Sequence, residues 1–97
     1  MDWDLRPEQA PGLEITEVVD GFVVQRRDDD RLHFLNSTAV FILESCDGRL
    51  RAGELPGLIA TAFGLDRAPR DDVEACLTAL LREGLLLCPP APRERLK

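Results

Sequence analysis

The sequence predicts an α+β domain of winged-helix-like type, in which a three-stranded antiparallel sheet is followed by three helices. Two β-branched and aromatic runs flank an Asp-Gly dipeptide, and an alternating strand turns directly into a capped helix. Two further helical patterns follow, each ended by a glycine. Strands followed by helices within one short chain are typical of α+β folds.

The first two strands are predicted at about Ile15 to Val19 and Phe22 to Arg26. Asp20-Gly21 between them is a dipeptide that supplies the positive φ angles of a two-residue type I′ turn. An acidic connection then leads to a third strand at about Arg31 to Leu35. Its three consecutive aspartates lack the spaced ligands and glycine of a calcium loop, so we interpret them as a solvated turn.

The third strand alternates, with Leu32 and Phe34 on one face and His33 and Leu35 on the other. The Asn-Ser-Thr run that follows can cap a helix. Apolar spacing predicts three helices, at about Ser37 to Cys46, Glu54 to Phe63 and Pro69 to Glu83. A short apolar run after the last helix is expected to return to the sheet or the core.

The chain divides into three parts. Residues 1–12 contain prolines and a glycine among charged residues, which predicts an extended lead-in without a regular element of its own. Trp3 within it either folds back onto the domain or waits for a partner. Residues 13–88 form the predicted domain, and the prolines of residues 89–97 predict a flexible tail.

Length and charge exclude several classes of protein. A chain of 97 residues supports one core, and its net charge of −6 disfavours nucleic-acid partners, which require clustered lysine and arginine. No apolar run approaches the roughly 20 residues of a membrane span. The N-terminus lacks the basic start and apolar centre of a secretory signal. We therefore expect a cytoplasmic protein with neither a nucleic acid nor a membrane as partner.

Residues that could carry chemistry are few. The chain has one histidine, no tyrosine, and Lys97 as its only lysine, with no glycine-rich phosphate loop. His33 would act alone, which favours a contact or structural role. Cys46, Cys76 and Cys88 lack metal-ligand spacing, and the first two are interpreted as buried apolar groups. We expect no catalytic residue, no metal and no cofactor.

Binding at a sheet edge is the function that these patterns leave. A free edge offers unpaired N–H and C=O groups to an extended peptide, which could add to the predicted third strand beside the third helix. The same edge could instead pair with a second copy in a homodimer. A winged-helix DNA-binding regulator is disfavoured, because the predicted third helix carries four acidic residues and only two arginines.

The chain resembles the PqqD family across residues 13–88. The resemblance rests on a hairpin ending in HFLN, the helix STAVFILESCDG, the helix ELPGLIATAFG and the closing segment LLREGLL. Proteins of this family, and related recognition domains for ribosomally made and modified peptides, bind the leader of a precursor peptide. The resemblance implies a non-catalytic adaptor that presents the precursor to a modifying enzyme of the same pathway.

In that family the leader adds to the third strand and rests against the third helix. On this sequence the resemblance implies a binding strand of Arg31, Leu32, His33, Phe34 and Leu35. It implies a helix wall of Asp72, Val73, Cys76, Leu77 and Leu80. Spacing alone leaves open which wall residues face the groove and which face the core, with Leu77 the first candidate for the core.

Overall fold

A three-stranded antiparallel sheet is followed by three helices, which confirms the predicted fold class. The computed structural model describes residues 1–88, and the predicted tail at 89–97 lies outside the described residues. The strands are β1 (Glu8–Gln9), β2 (Leu13–Val18), β3 (Gly21–Arg26), β4 (Leu32–Leu35) and β5 (Leu86–Leu87). The helices are α1 (Ser37–Ser45), a 3₁₀ turn (Ala52–Glu54), α2 (Leu55–Phe63) and α3 (Arg70–Arg82).

The β2–β3 hairpin turns one residue earlier than predicted. Val18 pairs with Gly21, so the two turn residues are Val19 and Asp20. No residue other than glycine has a positive φ among residues 1–88, which excludes the predicted type I′ turn. Gly21 has a different role, because a Cβ there would lie 2.7 Å from the carbonyl oxygen of Leu35. The glycine allows β4 to approach β3 closely.

The helices pack on one face of the sheet. Of the three residues predicted as possible caps of α1, Asn36 is the cap, and its Oδ1 accepts a hydrogen bond of 2.8 Å from the Ala39 amide. α1 contacts β3, β4 and both other helices, which places it at the centre of the domain. The core comprises Val24, Ile42, Leu43, Cys46, Ala52, Leu55, Ile59, Val73, Leu77, Leu80, Leu85 and Leu86. Within residues 1–88, no helix has the length and apolar character of a membrane span.

The N-terminal segment, residues 1–12, contains a strand, so the expectation of no regular element is wrong. Glu8 of β1 pairs with Leu87 of β5, and the Gln9 amide donates to the Cys46 carbonyl at 3.1 Å. The Gly48 amide donates to the carbonyl of Pro7 at 3.0 Å. These partners are distant in sequence, and a two-residue strand leaves no alternation from which it could be predicted.

The same segment caps the 3₁₀ turn, where no serine or threonine is present. The Ala52 amide donates a hydrogen bond of 2.8 Å to the Leu5 carbonyl, and the Gly53 amide donates one of 2.8 Å to the Trp3 carbonyl. Trp3 packs against the core, and the Arg70 guanidinium lies 4.4 Å from the centre of its ring. Trp3 therefore folds back onto the domain, which was one of the two alternatives for it.

We predict that Trp3→Ala lowers the free energy of unfolding by about 2 kcal/mol, because a partly buried indole is lost from the core. The urea midpoint of the circular dichroism signal measures this change. Arg70→Ala is the matched control and should cost less than about 1 kcal/mol, since it removes only the cation–π contact. Equal stability of Trp3→Ala and wild type would show that the N-terminal segment is not part of the cooperative fold.

Candidate functional site

β4 is an edge strand without the features that usually protect an edge. The strand order is β2-β3-β4, and within residues 1–88 no strand pairs with the outer side of β4. Its sequence, Leu-His-Phe-Leu, has no acidic residue, lysine, arginine or proline, and Leu32 and Phe34 are 63% and 73% exposed. The opposite edge, β2, carries Glu14 and Glu17, charges that discourage further strand pairing. The two edges therefore differ in how readily they accept another strand.

The register of the sheet determines which groups of β4 are free. The residues that flank the two-residue turn of the β2–β3 hairpin form a hydrogen-bonded pair. Because hydrogen bonds alternate in direction along a strand, Val24 of β3 and its partner His33 form the corresponding pair between β3 and β4. Leu32 and Phe34 therefore direct their N–H and C=O groups outward, away from the sheet.

α3 runs beside β4 in the opposite direction, with an ion-pair contact at one end of the space between them and a shared cavity at the other. At one end, Nη2 of Arg31 lies 2.6 Å from Oε1 of Glu83, the residue that ends α3. Nδ1 of His33 lies 3.8 Å from the same oxygen. At the other end, Asp72 and Thr38 line a cavity of about 400 Å³. The β4–α3 groove is the space between these two ends.

Helical periodicity identifies the residues of α3 that face this groove. Asp72 and Glu83 are eleven residues apart, which is close to three turns, so they share one side of the helix. Cys76 and Ala79 lie between them on the same stripe at spacings of three or four residues. Asp72 and Ala79 are exposed, whereas Cys76 and Glu83 are half-buried. This stripe forms the helix wall of the groove.

Three residues of the wall implied by the resemblance lie elsewhere. Val73, Leu77 and Leu80 are 1%, 0% and 3% exposed and belong to the core. They lie roughly 100° around α3 from the Asp72 stripe, on the side that faces the other helices. This places Leu77 in the core, as the spacing allowed, together with Leu80, whereas the buried Val73 also lines the cavity at the end of the groove. Ala79 and Glu83 were not among the predicted wall residues, although both continue the spacing that begins at Asp72 and Cys76.

The side chains of the predicted binding strand point to two different faces of the sheet. Leu32 and Phe34 point to solvent on the face away from the helices, while Leu35 packs against the core. The His33 side chain is 11% exposed and points inward, toward Glu83. Arg31 is exposed and is held by its ion pair with Glu83. The backbone of β4 therefore forms the free edge, with His33 and Leu35 beside the groove.

The cavity at the end of the groove is largely apolar. α1, α2 and the start of α3 each contribute to its lining, which includes Ile42, Ile59, Phe63 and Val73. Thr38 and Asp72 are its polar members. The sequence did not indicate this cavity, because its lining joins three helices whose packing is not visible in any single pattern.

The thiols of Cys46 and Cys76 are not reactive groups. Burial raises the pKa of Cys46 to about 12, and burial also raises the pKa of Cys76. Both remain protonated near neutral pH, and a thiol is a weak nucleophile in that state. In the part of the chain that the structure describes, no three histidine, cysteine, aspartate or glutamate side chains are placed to share a metal ion.

The fold and the edge define a small α+β domain with an unprotected strand beside a helix, a type of domain that can accept an extended peptide. A family model described as coenzyme PQQ synthesis protein D (PqqD) matches residues 21–86, which include β3, β4 and all three helices. The chain belongs to the PqqD family, the family of RiPP recognition elements. Its members are non-catalytic accessory proteins. No curated protein and no solved structure matches the chain.

Proposed function

We propose that this chain is a non-catalytic adaptor that binds the leader segment of a ribosomally synthesised precursor peptide as a strand added to β4. The adaptor presents the peptide to a modifying enzyme, in the cytoplasm, in a quinone cofactor or peptide natural product pathway. The observation that carries this proposal is the uncharged, outward-facing edge of β4 beside α3. Membership of the PqqD family supports it.

In the proposed complex, backbone and side chains of the peptide have separate roles. The outward N–H and C=O groups of Leu32 and Phe34 pair with the peptide backbone and accept many sequences. Alternate peptide side chains point into the β4–α3 groove, where they meet Cys76 and Ala79. Where the peptide extends past Leu35, one apolar side chain can enter the adjacent cavity. Selectivity comes from these side-chain contacts.

The expected free energies show that backbone hydrogen bonds alone do not give the peptide measurable affinity. Two outward residues offer about four hydrogen bonds, each contributing roughly 1 kcal/mol net. Association costs at least about 4 kcal/mol, which cancels this gain. Measurable affinity therefore requires apolar anchors, each contributing roughly 2 kcal/mol when buried. A leader with two or more large apolar residues at alternate positions fits this requirement.

Fluorescence polarisation with a labelled synthetic leader tests the proposal, using the precursor encoded beside the gene for this chain. We expect saturable binding with a Kd in the micromolar range, together with slowed hydrogen exchange at the Leu32 and Phe34 amides. A scrambled peptide of the same composition is the control. Failure of the leader to bind, or binding without any change at β4, would refute strand addition at this edge.

Self-association is the second candidate function, and the same uncharged edge of β4 favours it. Two copies could pair their β4 strands across a two-fold axis and form one continuous sheet. The net charge of −6 on each copy opposes this pairing. Sedimentation velocity distinguishes the two functions, because a β4-paired dimer dissociates when the leader occupies the edge.

A further inference from the structure

The face of the sheet that points away from the helices carries an open apolar patch. Thr16, Val23 and Phe34 are aligned across the three strands of the sheet. Gln25 and Leu32 form the next pair on the same face. Phe34 and Leu32 are among the most exposed large apolar residues of the described chain. We call Val23, Leu32 and Phe34 the outer patch.

The part of the chain that carries the outer patch is acidic. Residues 13–36, which form the sheet and its turns, contain six acidic and three basic residues. Two of the basic side chains are already paired: Nε of Arg26 lies 3.3 Å from Asp28, and Arg31 is bound by Glu83. This part of the chain therefore has a formal net charge of −3, and Glu14 lies on the same face as the patch, opposite Gln25.

We propose that the outer patch docks the modifying enzyme, through an enzyme surface whose apolar centre is bordered by arginine or lysine. This inference rests on the proposed function and adds the partner's binding surface to it. A second copy of this chain would bring the same negative charge and be repelled, whereas a basic border is attracted. Burial of Leu32 and Phe34 supplies the apolar part of the interface.

The two partners can bind at the same time. Neighbouring strands lie about 4.8 Å apart, so a peptide added to β4 lies roughly 10 Å from Val23 on the central strand. The enzyme covers the face of the sheet while the leader occupies its edge. Leu32 and Phe34 lie beside both sites, which brings the peptide close to the enzyme.

Val23→Lys tests binding at the face of the sheet without disturbing binding at the β4 edge, because the side chain of residue 23 belongs to the outer patch and does not reach an added strand. Biolayer interferometry with the purified modifying enzyme encoded beside the precursor measures the affinity for the enzyme. Fluorescence polarisation of the labelled leader measures the affinity for the peptide. We expect Val23→Lys to weaken enzyme binding by about tenfold or more, and leader binding by less than about twofold. Thr16→Lys, on the same face, repeats the test should Val23→Lys fail to fold.

Thr78→Lys is the matched control, since it makes the same substitution on the exposed side of α3, away from the patch. We expect it to bind both partners as wild type does. The inference is overturned if the folded variants at Val23 and Thr16 bind the enzyme as tightly as wild type, or if Val23→Lys dissociates a wild-type dimer. Absence of leader binding by wild type refutes the proposed function instead, so the two failures are distinguishable.

Discussion

Phe34→Pro is expected to weaken leader binding by about tenfold or more while the domain stays folded. The substitution removes one outward N–H and places the proline ring where the added strand must approach, so it acts on the edge itself. The Phe34 amide makes no ladder bond to β3 in this register, and proline is tolerated at such edge positions. The loss of one hydrogen bond and the steric block together account for this size of effect.

Phe34→Ala is the matched control for that experiment. It shortens the same side chain but keeps the N–H, so leader affinity should change by less than about threefold. Fluorescence polarisation gives both affinities, and circular dichroism confirms that both variants are folded. If Phe34→Pro binds the leader as tightly as Phe34→Ala, the backbone of β4 does not pair with the peptide.

Local patterns in the sequence were sufficient to predict the main elements. The alternation from Leu32 to Leu35 correctly assigned the two faces of β4, because a strand has a period of two. The Asn-Ser-Thr run was correctly predicted to cap α1, and its first residue, Asn36, accepts a hydrogen bond from the free amide of Ala39. Gly64, in the left-handed conformation at the end of α2, is equally local.

The features that were missed depend on contacts between distant residues. Gly21 was interpreted as a turn residue. A glycine is needed there because the Leu35 carbonyl of another strand lies too close for a side chain. Two breaking residues, Pro7 and Pro11, obscured the β1 strand, which pairs with β5 and also contacts residues 46 and 47. Three separate helices meet at the cavity beside Thr38. None of these contacts leaves a periodic signal in the sequence.

The helix wall of the groove could be predicted only in part from local sequence patterns. Apolar spacing correctly placed α3, but it could not separate a side chain facing the core from one at the border of a groove. Half-buried Cys76 and fully buried Leu77 are both apolar and adjacent in sequence. The contact of Glu83 with His33 of β4 and the cavity lined by Asp72 and Thr38 identify the direction of the groove. The wall is therefore better defined by Glu83 than by the apolar residues of α3.

Three consecutive residues of α3 test this direction, because successive side chains point about 100° apart. Leu77 is fully buried, while Thr78 and Ala79 are exposed, and Ala79 lies on the Asp72–Glu83 stripe that we propose as the wall of the groove. Leu77→Ala should lower the free energy of unfolding by about 3 kcal/mol, through the cavity left by a fully buried side chain. The affinity of the remaining folded protein for the leader should be unchanged.

Ala79→Glu should have the opposite profile. A carboxylate in the groove must be desolvated when the peptide binds, so leader affinity should fall by about tenfold. Stability should change by less than about 1 kcal/mol, because position 79 is exposed. Thr78→Glu is the control, since the same carboxylate on the solvent side should leave both quantities near wild type.

Urea unfolding gives the stability of each of these three variants, and fluorescence polarisation with the labelled leader gives its affinity for the peptide. A groove at the Asp72–Glu83 stripe requires the binding defect at position 79 and the stability defect at position 77. If Thr78→Glu weakens binding and Ala79→Glu does not, the peptide lies on the outer side of α3 rather than between α3 and β4. If neither glutamate affects binding, α3 is not a wall of the site, and the β4 edge alone would have to hold the leader. That outcome conflicts with the association cost, which the backbone bonds of two residues do not exceed.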